Sequence, residues 1–316
     1  MISYKIPGAI NGAPRIPGDK SISHRSIIIP SISNGICKIT NILKSDDVLH
    51  TLDAFKNMGV EIYENDNEVV INGRGLNSLK KPKKDIYLGN SGTSARLLVG
   101  LLSSQKFNSK IIGDNSLSKR PMKRITDPLT KMNAIIKTSN GSLPIEIQGS
   151  QLSCADIDIS IPSAQIKSGI LLACLNTEGI SNIIENNVTR DHTEIMLESF
   201  GAKIEIIKKL NKKYIKIEGK NELVSKNINV PSDLSSSAFF IVATLINKNS
   251  KIILKNINNN PTRNGLLIAL KKMGAKISIL NKRYNNNEEI CDIEVLSSEL
   301  NGCELEADMA DLMIDE

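Results

Sequence analysis

The sequence predicts an α/β protein of two domains, assembled from a mixed helix and strand unit that recurs about every 70 residues. In four segments a helix-like pattern ends at a Met or Phe and then turns into a short strand-like alternation. The Met or Phe markers occupy positions 58, 132, 200 and 273, so they are 74, 68 and 73 residues apart. This period is too long for a solenoid repeat and fits one α/β unit. The segments are 52–62, 129–137, 196–206 and 270–279.

The residue after three of these markers is glycine. Gly59, Gly201 and Gly274 stand where a helix C-terminus needs a residue in the left-handed conformation. The alternation that follows, for example Ala-Lys-Ile-Glu-Ile, has the period of a half-buried strand. Each unit is therefore expected to run from a helix through a tight turn into a strand.

Three apolar runs, at 94–104, 168–175 and 235–246, are predicted to be buried helices, and each begins with Ser, Thr or Gly. Hydroxyl-rich segments at helix starts recur at 20–23, 89–93, 162–168 and 231–237. Such residues cap a helix, and an exposed helix N-terminus is also where an anion binds. Two interpretations stay open at this point: ordinary N-caps, or helix starts that converge on a pocket for several anions.

Length and composition set the broad class. A chain of 316 residues suits two domains, and 40% hydrophobic residues plus 20 glycines, about 46% apolar in all, is typical of globular proteins. No apolar run is long enough to span a membrane and no secretion signal is recognisable, so we expect a cytoplasmic protein with no membrane partner. The five cysteines lack CxxC spacing and are expected to be free thiols.

The net charge of +6 would admit a nucleic-acid partner. The composition opposes it, because aromatic residues make up only 3%, Trp is absent, and the lysines are scattered through stretches such as IIKKLNKKYIKIEGK. A lysine-rich solvated surface is the favoured interpretation, with no nucleic-acid partner.

The segment 16–35 carries the first cluster of chemically active residues. Lys20 and Arg25 enclose hydroxyl side chains just after a Pro-Gly turn, an arrangement suited to holding a phosphate and a carboxylate. Neither a P-loop nor a GxGxxG fingerprint is present. For His24 we expect a structural hydrogen bond to the turn.

Two further segments are basic. In 88–98 the pattern is a strand end, a glycine-bearing turn and a helix, so the backbone N–H groups of Gly92 and Thr93 would face a ligand, with Arg96 one turn further on. The segment 113–129 contains Lys119, Arg120, Lys123 and Arg124. It is either a solvated face or, through Arg120 held before Pro121, a ligand for a carboxylate or phosphate.

Six motifs in fixed order carry a specific resemblance: PGDKSISHR, GNSGTSARLL, GDNSLSKRPM, PSAQIKSGILLA, TRDHTEIML and VPSDLSSSAFF. Together they resemble the 5-enolpyruvylshikimate-3-phosphate synthase family. TRDHTEIML and the closing LMIDE are more similar to its class II bacterial branch than to class I.

The resemblance implies a reaction and a fold. The family transfers the enolpyruvyl group of phosphoenolpyruvate to the 5-hydroxyl of shikimate 3-phosphate and releases phosphate, without a metal or other cofactor, in the shikimate pathway to chorismate. The enolpyruvyl transferase fold has two domains of inverse βαβαββ-type α/β repeats, with helix N-termini facing the interdomain cleft. It implies a first domain of 1–13 with 233–316, a second of 14–232 with three repeats, small-molecule substrates as partners, and a monomer.

Matching motifs also imply roles for single residues. Asp315 of LMIDE would take the proton of the 5-hydroxyl, and Lys20 is the candidate donor to the enol carbon. Read without the family, Asp315 is a surface acid in an acidic tail. The residues expected to bind substrate are Lys20, Ser21, Arg25, Asn90, Gly92, Thr93, Arg120, Ser163, Ala164, Gln165, Arg190 and Asp315.

The sequence departs from the family at its end. It stops at Glu316, whereas the family continues for roughly a hundred residues with further basic motifs, so the first domain is expected to be incomplete. Two hypotheses follow: an enzyme of this family that is active only if the missing segment is supplied, or a truncated, inactive remnant that binds shikimate 3-phosphate without turnover. Enolpyruvyl transfer to a UDP-sugar on the same fold is disfavoured, because PGDKSISHR and PSAQIKS are not the motifs of that reaction.

Overall fold

A computed structural model describes residues 8–209 and 212–316. The chain divides into two compact units, a larger one of residues 20–230 and a smaller one of residues 8–19 with 231–316. The sequence placed these boundaries after 13 and after 232. Residues 14–19 and 231–232 lie in the smaller unit because their backbones pair there: Asp19 N–H donates to Pro231 O at 2.8 Å and Asp233 N–H to Pro17 O at 2.9 Å.

The described residues form eight α-helices, three short 3₁₀ helices and sixteen strands. The α-helices are α1 Lys20–Ser31, α2 Asp46–Asn57, α3 Gly92–Ser103, α4 Lys123–Lys131, α5 Ala164–Cys174, α6 His192–Ser199, α7 Leu234–Ile246 and α8 Gly265–Lys272; the 3₁₀ helices are Leu117–Lys119, Pro261–Arg263 and Ala307–Leu312. The strands are β1 Asn11–Gly12, β2 Asn34–Thr40, β3 Glu61–Glu64, β4 Glu68–Arg74, β5 Ile86–Tyr87, β6 Ser109–Ile112, β7 Ile135–Ser139, β8 Ser142–Gln148, β9 Asp156–Ile159, β10 Ile180–Glu185, β11 Ile204–Lys209, β12 Lys212–Glu218, β13 Ile228–Asn229, β14 Lys251–Asn258, β15 Lys276–Asn285 and β16 Glu288–Leu296.

Each sheet has four strands and belongs to one βαβαββ repeat, as the resemblance implies. In the larger unit two repeats run continuously along the chain, with strand orders β5-β6-β8-β7 and β9-β10-β12-β11. The first two strands of each repeat are parallel because a helix crosses between them, and the remaining pairs are antiparallel. The α/β prediction and its repeat of about 70 residues are confirmed.

The other two sheets exchange their first strands. The sheet β13-β2-β4-β3 of the larger unit starts with β13, which pairs in parallel with β2 although it lies almost 190 residues later in the chain. The sheet β1-β14-β16-β15 of the smaller unit starts with β1, which pairs in parallel with β14. The chain therefore passes twice between the units.

The predicted helix ends are confirmed. The helices α2, α4, α6 and α8 stop at the four marker residues, and the following strand begins three or four residues after the marker. The residue after each marker has a positive φ, at Gly59 (+83°), Asn133 (+67°), Gly201 (+95°) and Gly274 (+93°). Asn replaces Gly in the second repeat because its short polar side chain tolerates this conformation.

The core of the larger unit contains α3 and α5, which were predicted to be buried helices and are. They approach closely at Gly100 and Gly169: a Cβ on Gly100 would stand 1.9 Å from the Gly169 carbonyl oxygen. Two helices come this near only where neither carries a side chain. The contact fixes the two helix starts beside each other.

For α7 the same prediction is only half right. Ile241 and Leu245 pack on the sheet of the smaller unit, but Phe239 is 80% and Ile246 66% exposed. The sequence run is apolar on all sides, whereas the four strands described in that unit cover one side of the helix.

Candidate functional site

The N-terminal ends of α3 and α5 are joined in the larger unit by side-chain hydrogen bonds. Gln165, in the first turn of α5, accepts from Arg96 NH1 at 2.7 Å and donates to Thr93 Oγ1 at 3.0 Å. Ser163 caps α5, its Oγ accepting from Ile166 N–H at 3.4 Å, and Ser163, Ala164 and Gln165 are all half-buried. Convergence of helix starts is therefore observed within this unit.

Arg25 connects α1 to the same region. It is 3% exposed, and its Nε donates to Thr193 Oγ1 at 2.6 Å while its NH2 donates to Ser168 Oγ at 2.8 Å. Its NH1 donates to the carbonyl of Ser21 at 2.8 Å. Arg25 thus ties the start of α1 to α5 and α6. The importance of Thr193 was missed, since a Thr in the first turn of a helix looks like an ordinary capping residue.

Lys20 and Ser21 form the first turn of α1. The Lys20 side chain is 49% exposed, and its ammonium lies 2.5 Å from Asp47 Oδ2, in the first turn of α2. Lys20 is therefore held at the surface and accessible to a ligand, with one carboxylate beside it.

Three arginines gather around the start of α3. Burial lowers the pKa of Arg96, and the nearby positive charges of Arg120 and Arg124 lower it further. Arg96 donates to the Gly92 carbonyl at 3.1 Å, and Arg120 donates to the amide oxygen of Asn90. Because these partners and Gln165 are neutral, they do not compensate the positive charges of Arg96 and Arg120, and two such charges side by side attract an anion.

Gly92 has a steric reason to be glycine. A Cβ there would lie 2.7 Å from Arg96 NH1 and 2.9 Å from Arg120 NH1. The missing side chain thus lets two guanidinium groups close over the first turn of α3, beside Thr93.

Arg190 lies half-buried in the loop between β10 and α6, next to Asp191 at the N-cap of α6. Beneath it is a cluster of charged side chains that the sequence analysis missed. Lys167 Nζ lies 2.9 Å from both Glu185 Oε2 and Glu194 Oε1, and Lys213 Nζ lies 2.9 Å from Glu194 Oε1. We call Lys167, Glu185, Glu194 and Lys213 the buried ionic cluster; each side chain is 0–1% exposed.

The charges of this cluster support one another. Burial alone would raise the pKa of Glu194, but the positive charges and hydrogen bonds of Lys167 and Lys213 lower it to about 2. The interpretation of the lysine-rich stretch around 206–220 as solvated is wrong for Lys213. A signal was present, because Lys213 shares the inward face of β12 with Ile215 and Ile217.

His24 is buried in α1 and lies within hydrogen-bond distance of two hydroxyl groups from other helices. Its Nδ1 lies 2.9 Å from Thr51 Oγ1 and 3.2 Å from Ser94 Oγ. It therefore links α1 to α2 and α3.

In the smaller unit, Asp315 lies exposed in a turn that follows the 3₁₀ helix Ala307–Leu312. Its neighbour Glu316 accepts from Ser235 Oγ at 2.5 Å, in the first turn of α7. Ser235 also accepts from Arg263 NH2 at 2.6 Å, and buried Arg263 forms ion pairs with Asp19 and Asp233. Ser235, at the start of α7, thus connects buried Arg263 with the segment that carries Asp315.

Three further observations concern the described part of the chain. All five cysteines are free thiols, as predicted. Within residues 8–209 and 212–316, no three His, Cys, Asp or Glu side chains are grouped so as to hold a metal ion. No helix in those ranges is both long and apolar enough to cross a lipid bilayer.

Comparison with known proteins gives a consistent result. The chain matches the family profile described as EPSP synthase (3-phosphoshikimate 1-carboxyvinyltransferase) over residues 4–313. A 3-phosphoshikimate 1-carboxyvinyltransferase of Ruthia magnifica is 48% identical over 313 residues, covering 99% of this chain and 71% of the relative. One of Oceanobacillus iheyensis is 44% identical, covering 98% and 72%. The structure of EPSP synthase from Acinetobacter baumannii superposes with a TM-score of 0.90 at 46% identity, covering 98% of this chain and 70% of that one.

Proposed function

The chain belongs to the EPSP synthase family, and from that premise we propose that it transfers the enolpyruvyl group of phosphoenolpyruvate to the 5-hydroxyl of shikimate 3-phosphate, releasing phosphate. The observation that carries the proposal is the group of helix starts in the larger unit, lined with arginines whose hydrogen-bond partners are neutral. Both substrates are anions with a phosphate and a carboxylate. Positive charge and helix N-termini are what such ligands need.

We place phosphoenolpyruvate at the start of α3. Asn90, Gly92 and Thr93 provide the turn and the first backbone N–H groups of the helix, and Arg120 lies across them through its bond to Asn90. An anion bound here would accept charge-assisted hydrogen bonds from the guanidinium groups. These bonds are stronger than the ones that the guanidinium groups make to their neutral partners. Arg96, which the motif comparison did not assign, belongs to the same wall.

Shikimate 3-phosphate is placed at the starts of α5 and α1. Ser163, Ala164 and Gln165 present the first turn of α5, Lys20 and Ser21 that of α1, and Arg190 approaches the phosphate. Arg25 is assigned to this substrate as well, and its three bonds to Ser21, Ser168 and Thr193 support that wall.

For the chemical step we assign two proton transfers. The carboxylate of Asp315 accepts the proton of the 5-hydroxyl as that oxygen attacks, and the ammonium of Lys20 donates a proton to the methylene carbon of phosphoenolpyruvate. The tetrahedral adduct so formed carries a methyl group. It gives the enolpyruvyl product when phosphate leaves the attacked carbon and the methyl group loses a proton, which restores the double bond. The carboxylate of Asp47 lies 2.5 Å from the Lys20 ammonium and holds it at the start of α1.

The test is phosphate release by the purified chain with both substrates, beside Asp315→Asn and the control Asp311→Asn in the preceding 3₁₀ helix. We expect turnover in the parent and in the control, and none in Asp315→Asn. Turnover that survives Asp315→Asn refutes the assignment of the base. A parent chain without turnover, but with a melting temperature raised by shikimate 3-phosphate, would support binding without catalysis instead.

The proposal further takes the enzyme to act in the cytoplasm as a monomer on these two small molecules. Light scattering of the purified chain, with and without substrates, should then give the mass of one chain, 34.6 kDa. Twice that mass would overturn the monomer.

A further inference from the structure

The buried ionic cluster is an unusual feature for a protein interior. Lys167, Glu185, Glu194 and Lys213 are removed from water together, and they join α5, β10, α6 and β12. Burial of such charges is costly, and apolar side chains of similar volume are often as stabilising or more so. Stability alone therefore explains the cluster poorly, and the residues that the cluster contacts indicate a second role.

The cluster holds the residues on both sides of Arg190. On one side, Glu185 Oε1 accepts from the backbone N–H of Thr189 at 3.0 Å and also from the Thr189 hydroxyl. Lys167 Nζ donates to the Thr189 carbonyl at 3.3 Å, so both backbone polar groups of that residue are fixed. On the other side, Asp191 Oδ2 lies 3.6 Å from Lys213 Nζ.

These contacts restrict the backbone from which the Arg190 side chain projects. Residues 186–191 otherwise form a loop between β10 and α6, and a loop residue alone would hold a guanidinium poorly. Because both neighbours of Arg190 are already fixed, Arg190 loses less conformational entropy when a ligand binds. The affinity for the ligand is higher as a result.

We propose that the buried ionic cluster is a positioning device for Arg190, which sets the affinity of the site for the phosphate group of shikimate 3-phosphate. The inference rests on the proposed role of Arg190 in the function above. Glu185 is its central positioning residue, because it bonds to Thr189 through one oxygen and to Lys167 through the other.

The experiment compares two ligands that differ in one group, shikimate 3-phosphate and shikimate, by calorimetric titration of the full chain. The variant is Glu185→Gln, and its matched control is Glu205→Gln, which removes a carboxylate from an exposed ion pair with Lys216 (3.3 Å) in the same sheet. We expect Glu185→Gln to weaken binding of shikimate 3-phosphate roughly tenfold and to leave shikimate unchanged. The control should behave as the parent.

If the cluster has a purely structural role, Glu185→Gln should lower the melting temperature and leave the ratio of the affinities for shikimate 3-phosphate and shikimate unchanged. That result would overturn the proposal. If Glu185→Gln does not fold, Asp191→Asn is the second variant. It interrupts the contact between Asp191 and Lys213, and because the Asp191 side chain is 16% exposed the change should be tolerated better. The same loss of preference for shikimate 3-phosphate over shikimate is expected.

Arg190→Gln separates this inference from the proposed function. If it does not change the ratio of affinities, Arg190 does not bind the phosphate and both assignments fail. If it lowers the ratio while Glu185→Gln and Asp191→Asn do not, only the positioning role fails. If all three lower it, and Glu185→Gln adds nothing in the Arg190→Gln background, the cluster acts through Arg190.

Discussion

At the scale of single residues, Gly92 determines how closely two arginines approach the start of α3. Its absent side chain leaves room for Arg96 NH1 and Arg120 NH1, which would lie 2.7 and 2.9 Å from a Cβ. In Gly92→Ala both guanidinium groups must shift, so we expect KM for phosphoenolpyruvate to rise about tenfold while KM for shikimate 3-phosphate stays within a factor of two. Steady-state kinetics with each substrate varied in turn measures the difference.

The matched control is Gly302→Ala, where an added Cβ would meet nothing within 4 Å. It should reproduce the parent kinetics. Equal changes in both KM values for Gly92→Ala would contradict the assignment of this turn to phosphoenolpyruvate.

Sequence reasoning works at this scale when a residue's role depends on its chain neighbours. Gly59 and Gly274 are recognisable from the helix that precedes them, and the candidate ligands of α3 from their turn. It fails for Lys213 and Thr193, because their partners Glu194 and Arg25 come from elements whose proximity only the fold creates. The motif comparison found the residues assigned to substrate and overlooked the buried charges behind Arg190.

At the scale of secondary structure elements, the left-handed residue at a helix end has a measurable cost. Gly201 has φ +95°, and the nearest atom to an added Cβ would be 3.9 Å away. Since space is available, Gly201→Ala is expected to destabilise the larger unit only through backbone strain, by about 1–2 kcal/mol. Urea unfolding followed by circular dichroism measures it, with Gly8→Ala, at an open position, as the control.

The contact between α3 and α5 should be far less tolerant. A Cβ at Gly100 would stand 1.9 Å from a backbone oxygen of α5, which cannot rotate away as a side chain would. Gly100→Ala is therefore expected to lower the free energy of unfolding by about 3 kcal/mol or to prevent folding. A loss below 1 kcal/mol in the same urea experiment would show that the helices separate easily.

The strand exchange explains why the elements were easier to predict than their order in the sheets. Periodicity reports whether a segment is a helix or a strand, but β1 and β13 have only two residues each and carry no periodicity. Their partners, β14 and β2, are set by the path of the chain between the two units. The boundary differences at 14–19 and 231–232 arise in these same crossing segments.

At the scale of the whole molecule, acidic side chains with lowered pKa values occur in both units. In the larger unit, Lys167 and Lys213 outweigh the effect of burial and hold the pKa of Glu194 at about 2. In the smaller unit, burial would raise the pKa of Asp292, but hydrogen bonds from the Asn256 backbone and from Asn281, Lys255 and Arg283 hold it well below its usual value. Both units are therefore expected to be sensitive to acid.

The sign of the effect follows from linkage. A carboxylate whose pKa is lower in the folded than in the unfolded protein stabilises the fold above its unfolded pKa, 4.5 for Glu194, and loses that contribution as pH falls through the folded value of about 2. We expect the free energy of unfolding to fall across this window, with about 3 kcal/mol attributable to Glu194. Urea unfolding at intervals from pH 7 to pH 2 measures this fall in the free energy of unfolding.

The variant Glu194→Gln should be less stable than the parent at pH 7, and its stability should decline less steeply as the pH falls. The control Glu205→Gln, in its exposed ion pair, should follow the parent curve. A parent whose stability is constant from pH 5 to pH 2.5 would mean that the buried ionic cluster does not hold Glu194 in its charged form.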